Sequence, residues 1–341
     1  MEKIRIGIMS PSNIAFNRFL PALQKAENFQ YVGVAVADPE EWFGEPSSKQ
    51  QKAEIQKAEN FQKTYGGQVF SGYRSLLENP EIDAVYLPLP PSLHYKWAMH
   101  ALQAGKHVLV EKPSTTCLAD TSSLINEAGR RDLALHENYM FQYHSQIRTI
   151  REMIASGELG EIRAYKLSFG FPHRDVSDFR YSKAMGGGAL LDCGGYPIKL
   201  ASLLLGNSAK IVQSRLNYVP GYDVDLFGTA VMENEDGICA QISFGMDNAY
   251  QCQLEVWGSQ ITLIAPRVFT AGIDVIPTLI FRSSHDEKTV TLEKDDQFLH
   301  SIEQFEICIK DFNSRQKDTE GIKKQAGYVE TIRRNEDTLC R

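Results

Sequence analysis

Two short stretches carry the side chains best suited to chemistry. "LVEKPSTT" (109–116) sets Lys112 between Glu111 and Pro113, and "GGGALLDCGGYPI" (186–198) sets Asp192 four residues before Tyr196. A lysine held between a carboxylate and a proline can be fixed in direction and partly desolvated, although most lysines are simply solvated. If the chain is helical from 189 onward, Asp192 and Tyr196 share one face, where a carboxylate beside a phenol makes an acid/base pair. The plainer reading is a glycine-rich loop entering a core helix, with Asp192 a partner of the helix dipole. Three consecutive glycines also allow backbone to approach a ligand closely.

These residues need elements to hold them. The first third of the chain alternates strand and helix. "KIRIGIM" (3–9) has Ile4, Ile6 and Ile8 at period two, followed by a helical pattern over 13–26. Strands are predicted again at 31–38, 68–70, 83–90, 107–113 and 133–140, with helices at 93–105 and near 118–131 between the later ones. Recurring strands with helical crossovers imply a parallel sheet covered on both faces, the doubly wound Rossmann-like pattern. Lys112 then stands at a strand's carboxyl end, where open α/β sheets bind ligands. In "GIMSPSNIAF" (7–16) only Gly7 remains of a glycine-rich phosphate loop, while Ser10, Ser12 and Asn13 could donate hydrogen bonds instead. Ser12 or Asn13 could equally be a plain helix cap. Asp38 ends the second strand, where a carboxylate can accept from ribose hydroxyls and repel a 2′-phosphate; "ADPEE" also reads as a simple turn.

Beyond residue 160 the pattern changes to a strand at 162–171, a long helix within 187–206, and three hairpins turning near 235–237, 258–259 and 283–287. Helices near 298–312 and 319–335 follow. The expected organisation is a nucleotide-type domain over 1–138 and an α+β domain with a mostly antiparallel sheet over 139–341. The heptapeptide "QKAENFQ" occurs twice, at 24–30 and 56–62, both reading as helix surface, and 42–57 reads as a solvated insertion.

With a net charge of −7 in 341 residues, no basic surface recruits nucleic acid or anionic lipid. The six cysteines (117, 193, 239, 252, 308, 340) form no CxxC pair and no HExxH occurs, so reduced thiols and no metal are expected. The N-terminus does not read as a signal peptide, and a cytoplasmic protein without a membrane span is the expectation.

Together, "GIMSPSNIA" followed by "FLPAL", "LPLPPSLHYKWAMHALQAGKHVLVEKP", "ENYMFQYHSQ", "GELGEI" and "GGGALLDCGGYPI" resemble the Gfo/Idh/MocA oxidoreductases over essentially the whole chain. The resemblance implies a Rossmann domain for NAD(H) or NADP(H) and a C-terminal sheet that joins copies into a homodimer or homotetramer. Cofactor contacts are implied for Gly7, Ser10, Ser12, Asn13 and Ile14 in the loop, and for Asp38. Further contacts are implied for Leu87, Pro88, Pro90 and His94, and for Glu111, Lys112 and Asn138. Lys112, Asp192 and Tyr196 fall on the family's catalytic positions, and Tyr rather than His at 196 resembles the branch acting on pyranoses, sugar nucleotides and cyclic diols. Ala37-Asp38, where many of that branch carry Ser-Arg, favours NAD.

The implied chemistry is hydride transfer between nicotinamide and a carbinol or carbonyl carbon of a sugar-like substrate. Tyr196 would exchange the proton, its ordinary pKa of about 10 lowered by the Lys112 ammonium. Lys112 would steady the alkoxide, and Asp192 would orient the substrate hydroxyl or Lys112. This requires Lys112 and Tyr196 to converge beside the cofactor's reactive ring. Two rivals are an NAD-dependent glycosidase and a non-catalytic binding protein on the same fold.

Overall fold

The computed structural model describes residues 2–42 and 44–339, with 336–339 described by backbone alone. Cys340 lies outside the described residues; the cysteines at 117, 193, 239, 252 and 308 are free thiols.

In the first unit, β1 (Ile4–Met9) is buried on both faces over its last four residues, as a central parallel strand must be. β2 (Phe29–Val36), β3 (Gln68–Ser71), β4 (Ala84–Leu87), β5 (His107–Val110) and β6 (Leu135–Glu137) complete a six-stranded sheet. Its order is β3-β2-β1-β4-β5-β6, and every pairing is parallel. Connections leave β1 on one side and return on the other, so the switch point lies at its carboxyl end.

After β1 the chain enters a helix at residue 13 that widens into a π turn (Ala15–Phe19) before α1 (Leu20–Leu23). The helix ends three residues earlier than its periodicity predicts, because Ala26 and Phe29 turn into the core to start β2. Within the stretch 42–57, residues 48–57 are helical. Ser47 and Gln50 form a capping box that starts α2 (Ser48–Tyr65), the crossover from β2 to β3. Only Ala58 and Phe61 of α2 are buried, which is why its sequence looks solvated. The other crossovers are α3 (Tyr73–Glu78), α4 (Pro91–Gln103) and α5 (Leu118–Arg130).

The second unit begins at Tyr139, with α6 (Ser145–Ser156) and an eight-stranded sheet. The strands are β7 (Ile162–Gly170), β8 (Lys210–Tyr218), β9 (Asp225–Glu233), β10 (Cys239–Gly245), β11 (Gln251–Gly258), β12 (Thr262–Ala265), β13 (Thr278–Arg282) and β14 (Glu287–Thr291). Their order is β14-β13-β12-β11-β7-β10-β9-β8, antiparallel except where β7 meets β10. The three predicted hairpins are present as β9–β10, β11–β12 and β13–β14. A π turn (Leu190–Gly194) leads into α7 (Gly195–Leu205), which packs on β7, β9 and β10.

The last helices, α8 (Gln297–Lys310) and α9 (Phe312–Leu339), correct the sequence-based division. Residues Phe298–Ala326 belong to the first unit, and the second resumes at Gly327. Phe305 stacks on Phe29 at 6.3 Å, Asn28 donates to Glu306 at 2.8 Å, and Arg315 donates to the Asp132 carbonyl at 2.7 Å. An amphipathic helix records in sequence that it covers a core, but not which core. Among the described residues, no helix is long and apolar enough to cross a membrane.

Candidate active site

The carboxyl ends of β1, β2, β4, β5 and β6 bring together the expected cofactor residues of the first unit, and the structure gives them different jobs. Gly7 serves packing. A Cβ there would meet the Ile82 and Leu76 side chains at 3.1 Å, so the glycine makes room for those two residues. Ser10 has φ +92°, in the left-handed region that favours glycine. Its amide donates to the Ala35 carbonyl at 3.2 Å. The loop therefore keeps a glycine-type conformation at a position where glycine is absent. Ser12 caps the helix, its Oγ accepting from Ala15 N–H at 3.2 Å, so the cap reading is correct for its side chain. Asn13 is exposed and Ile14 half-buried at that helix start. A left-handed residue followed by a helix N-terminus at the switch point is the backbone geometry that suits a dinucleotide phosphate.

Asp38 is exposed just beyond β2 and caps a short 3₁₀ turn (Pro39–Glu41) in a reciprocal capping box with Glu41. Its Oδ1 accepts from Ser71 Oγ at 3.1 Å, and a Cβ on Gly72 would come within 2.5 Å of its Oδ2. Buried Glu41 in turn accepts from the amides of Asp38, Tyr73 and Arg74 at 3.0, 2.6 and 3.1 Å. Both the turn and the held carboxylate are therefore real.

Leu87 and Pro88 are buried, and half-buried Pro90 caps α4. His94 is wholly buried, with Nδ1 and Nε2 each 2.7 Å from a carbonyl oxygen, those of Pro113 and Leu89. Burial pushes its imidazole down to about 4. It offers a ligand no surface; it ties the loop after β4 to the turn after Lys112. Half-buried Lys112 follows Glu111, whose Oε1 accepts from Tyr86 Oη and from Asn138 Nδ2, both at 2.6 Å. Burial raises the Glu111 carboxyl, against the pull of those two hydrogen bonds. Asn138 is 1 % exposed, so it too acts through its protein partners rather than by direct contact with a cofactor.

Deeper in this unit a His136 ring nitrogen, Cys308 Sγ and a carboxylate oxygen of Asp318 lie within 4.8 Å of one another. Burial and the charge of Asp318 push the Cys308 thiol up to about 12, and the His136 nitrogens face Asp318 and Ser301. The donor set suits a hydrogen-bonded cluster better than a thiolate metal site.

In the second unit Asp192 lies within the π turn and Tyr196 in the first turn of α7. The glycines between them are packing necessities. A Cβ on Gly194 would press on the Phe244 ring at 3.1 Å, and one on Gly195 would overlap the Tyr139 hydroxyl. Tyr196 is 7 % exposed, and its ring is enclosed by Tyr139, Phe141, Phe169 and Phe269, with centroids 5.0 to 6.1 Å away. Asp192 receives Arg180 Nε at 2.8 Å, and the same guanidinium reaches Asp178 Oδ1 at 3.1 Å. Arg180 was not foreseen: it lies in an irregular segment twelve residues away, and only its unusual Asp-Phe-Arg-Tyr neighbourhood could have drawn notice. Its backbone carbonyl accepts from Gly188 N–H at 2.9 Å and would collide with a Cβ on Gly187, which accounts for that glycine.

Comparison with known proteins bears on both units. Residues 49–139 match the model of the oxidoreductase family with an NAD-binding Rossmann fold, and residues 147–264 match the GFO/IDH/MocA C-terminal domain. A dTDP-3,4-didehydro-2,6-dideoxy-alpha-D-glucose 3-reductase of Actinomadura kijaniata is 37% identical over 97% of this chain and 95% of its own. The protein of the same description from Streptomyces violaceoruber is 34% identical over 98% of this chain and 95% of its own. The crystal structure of a 3-ketoreductase from Actinomadura kijaniata, in complex with NADP and TDP-benzene, superposes with a TM-score of 0.88 at 35% identity, covering 98% of each chain. The chain belongs to the GFO/IDH/MocA family and is an NAD(P)-dependent oxidoreductase.

Proposed function

We propose that this chain reduces a ring ketone of a nucleotide-linked hexose, and that it runs in reverse on the corresponding alcohol. The carrying observation is similarity along nearly the whole length to dTDP-sugar 3-reductases, with Lys112, Asp192 and Tyr196 all present. When bound, the nicotinamide supplies or takes the hydride. Tyr196 gives its hydroxyl proton to the substrate oxygen as that oxygen gains negative charge, and its aromatic surround keeps water from the ring. Lys112 donates to the same oxygen and stabilises its charge. Asp192, held by Arg180, orients the substrate hydroxyl next to the reacting carbon. Ser10, Ser12, Asn13 and Ile14 hold the diphosphate by backbone and hydroxyl groups, half-buried Pro90 lines the nicotinamide side, and Asp38 favours NAD over NADP. The protein acts in the cytoplasm as a homodimer or homotetramer through the larger sheet, whose exposed Val212, Phe227 and Trp257 support an interface.

The test is a panel of dTDP-linked 3-ketohexose, free aldoses and cyclic polyols with NADH and NADPH, followed by cofactor absorbance. Turnover of the nucleotide-linked ketone well above the free sugars supports the proposal. Turnover confined to free sugars or polyols moves the substrate class, and sugar release without net cofactor change supports the glycosidase reading instead.

A further inference from the structure

A line of hydrogen bonds crosses the interior of the first unit and ends beside Lys112. Ser301 Oγ lies 2.8 Å from Asn138 Oδ1 and 3.1 Å from His136 Nε2, and His136 Nδ1 lies 2.9 Å from Asp318 Oδ2. At the other end Asn138 Nδ2 reaches Glu111 Oε1. Asn138, Ser301 and His136 are each at most 1 % exposed, while the Asp318 side chain is 14 % exposed, so the line meets solvent at α9.

Donor arithmetic gives this line a direction. Asn138 Nδ2 donates to Glu111 Oε1 and Ser301 Oγ donates to Asn138 Oδ1, so the amide turns its NH2 to Glu111 and its carbonyl to Ser301. Ser301 has one proton and gives it to that carbonyl, which leaves its oxygen to accept from His136 Nε2–H. The other ring nitrogen, Nδ1, lies against the Asp318 carboxylate. Reversing the His136–Ser301 link would turn the Asn138 amide and set its carbonyl oxygen against Glu111. The groups facing His136 are Asp318, Cys308, Ser301 and the Phe305 ring; those facing Glu111 are Tyr86, Asn138 and Lys112.

We infer that Ser301 and His136 are positioning residues for the Glu111–Lys112 turn: they fix the Asn138 amide, which holds the Glu111 side chain beside Lys112. The inference rests on the proposed role of Lys112. It also gives a reason for α8 and α9 to return to the first unit, since Ser301 and Asp318 reach it from there. Neither residue touches substrate or cofactor in this role.

The experiment compares Ser301→Ala with Ser301→Thr in the full-length protein, labelled with 13C at the glutamate carboxyls and with Glu111→Gln to assign the signal. Ser301→Ala is expected to move the Glu111 titration to higher pH, and Ser301→Thr to leave it in place. In turnover, Ser301→Ala is expected to lower kcat about tenfold with KM unchanged, and Ser301→Thr to restore it. Should Ser301→Ala not fold, Asp318→Asn gives the second reading, with a titration shift in the same direction. An unmoved Glu111 titration, or a kcat loss that threonine does not restore, overturns the inference. If the wild-type protein turns over no nucleotide sugar, the proposed function fails while the carboxyl titration still decides this point.

Discussion

The Arg180 guanidinium donates to Asp192 at 2.8 Å while also holding Asp178, so the carboxylate preceding Tyr196 by four residues is a paired charge rather than a loose one. Burial would lower the charge of Arg180, but the two carboxylates more than offset it and its guanidinium is held above its ordinary value. A fork of planar donors serves two carboxylates at once; a single ammonium cannot. Arg180→Lys is therefore expected to lower kcat/KM about tenfold, roughly 1.4 kcal/mol of transition-state stabilisation, in steady-state assays. Retention of full activity in the lysine variant would show that bidentate geometry is irrelevant here.

Tyr196→Phe removes the proposed proton donor without disturbing the aromatic surround. It is expected to reduce kcat about 100-fold or more while KM changes little. Parallel loss of substrate affinity, seen by calorimetry with the nucleotide sugar, would assign the hydroxyl to binding instead.

Asp38 presents an exposed carboxylate anchored by Ser71 and by the turn through Glu41. It is expected to repel a 2′-phosphate, so wild-type kcat/KM with NADH should exceed that with NADPH about tenfold or more, and Asp38→Ser should narrow the ratio. A wild-type preference for NADPH would exclude this role.

At Ser10 a non-glycine residue is held at φ +92°. Ser10→Ala keeps that backbone cost, whereas Ser10→Gly relieves it. The glycine variant is therefore expected to be more stable than the alanine variant by about 1 kcal/mol in urea denaturation. Equal stabilities would place the strain elsewhere.

Much of the fold was legible in local pattern, and the misses share a cause. Alternation with turn residues announced the three hairpins, because each pairs neighbours in the chain. The heptapeptide "QKAENFQ" defeats local reading. At 56–62 it is helical and buries Ala58 and Phe61, whereas at 24–30 the same seven residues leave a helix and enter β2, with Phe29 buried. Tertiary packing selects the conformation, not the segment. For the same reason residues 298–326 gave no sign of which unit they would join. Of the site, the motif residues Lys112, Asp192 and Tyr196 stood out by type and spacing. Their supports, Arg180, Ser301 and the aromatic rings about Tyr196, did not, since each arrives from a distant segment with an unremarkable sequence.

Asp225, at the start of β9, shows why the third glycine of the 186–188 run is required, and it carries a pH signature. Its Oδ2 accepts from the Leu190 amide at 2.7 Å, and its Oδ1 comes so near Gly188 that a Cβ would lie 2.4 Å away. Burial pushes its carboxyl up to about 6, against the pull of the Leu190 hydrogen bond. The folded value exceeds the unfolded one, near 4, so between the two the folded chain binds the proton more tightly. The stabilising contribution is thus present in full below about pH 4 and is lost as pH rises through 6. A difference of two units amounts to about 3 kcal/mol. Asp225→Asn keeps an acceptor for Leu190 and cannot ionise. Relative to that variant, the wild-type protein is expected to lose up to about 3 kcal/mol of stability between pH 4 and pH 7, measured by urea denaturation of both proteins at each pH. A constant difference across that range would mean that Asp225 is as well stabilised when charged in the fold as in the unfolded chain.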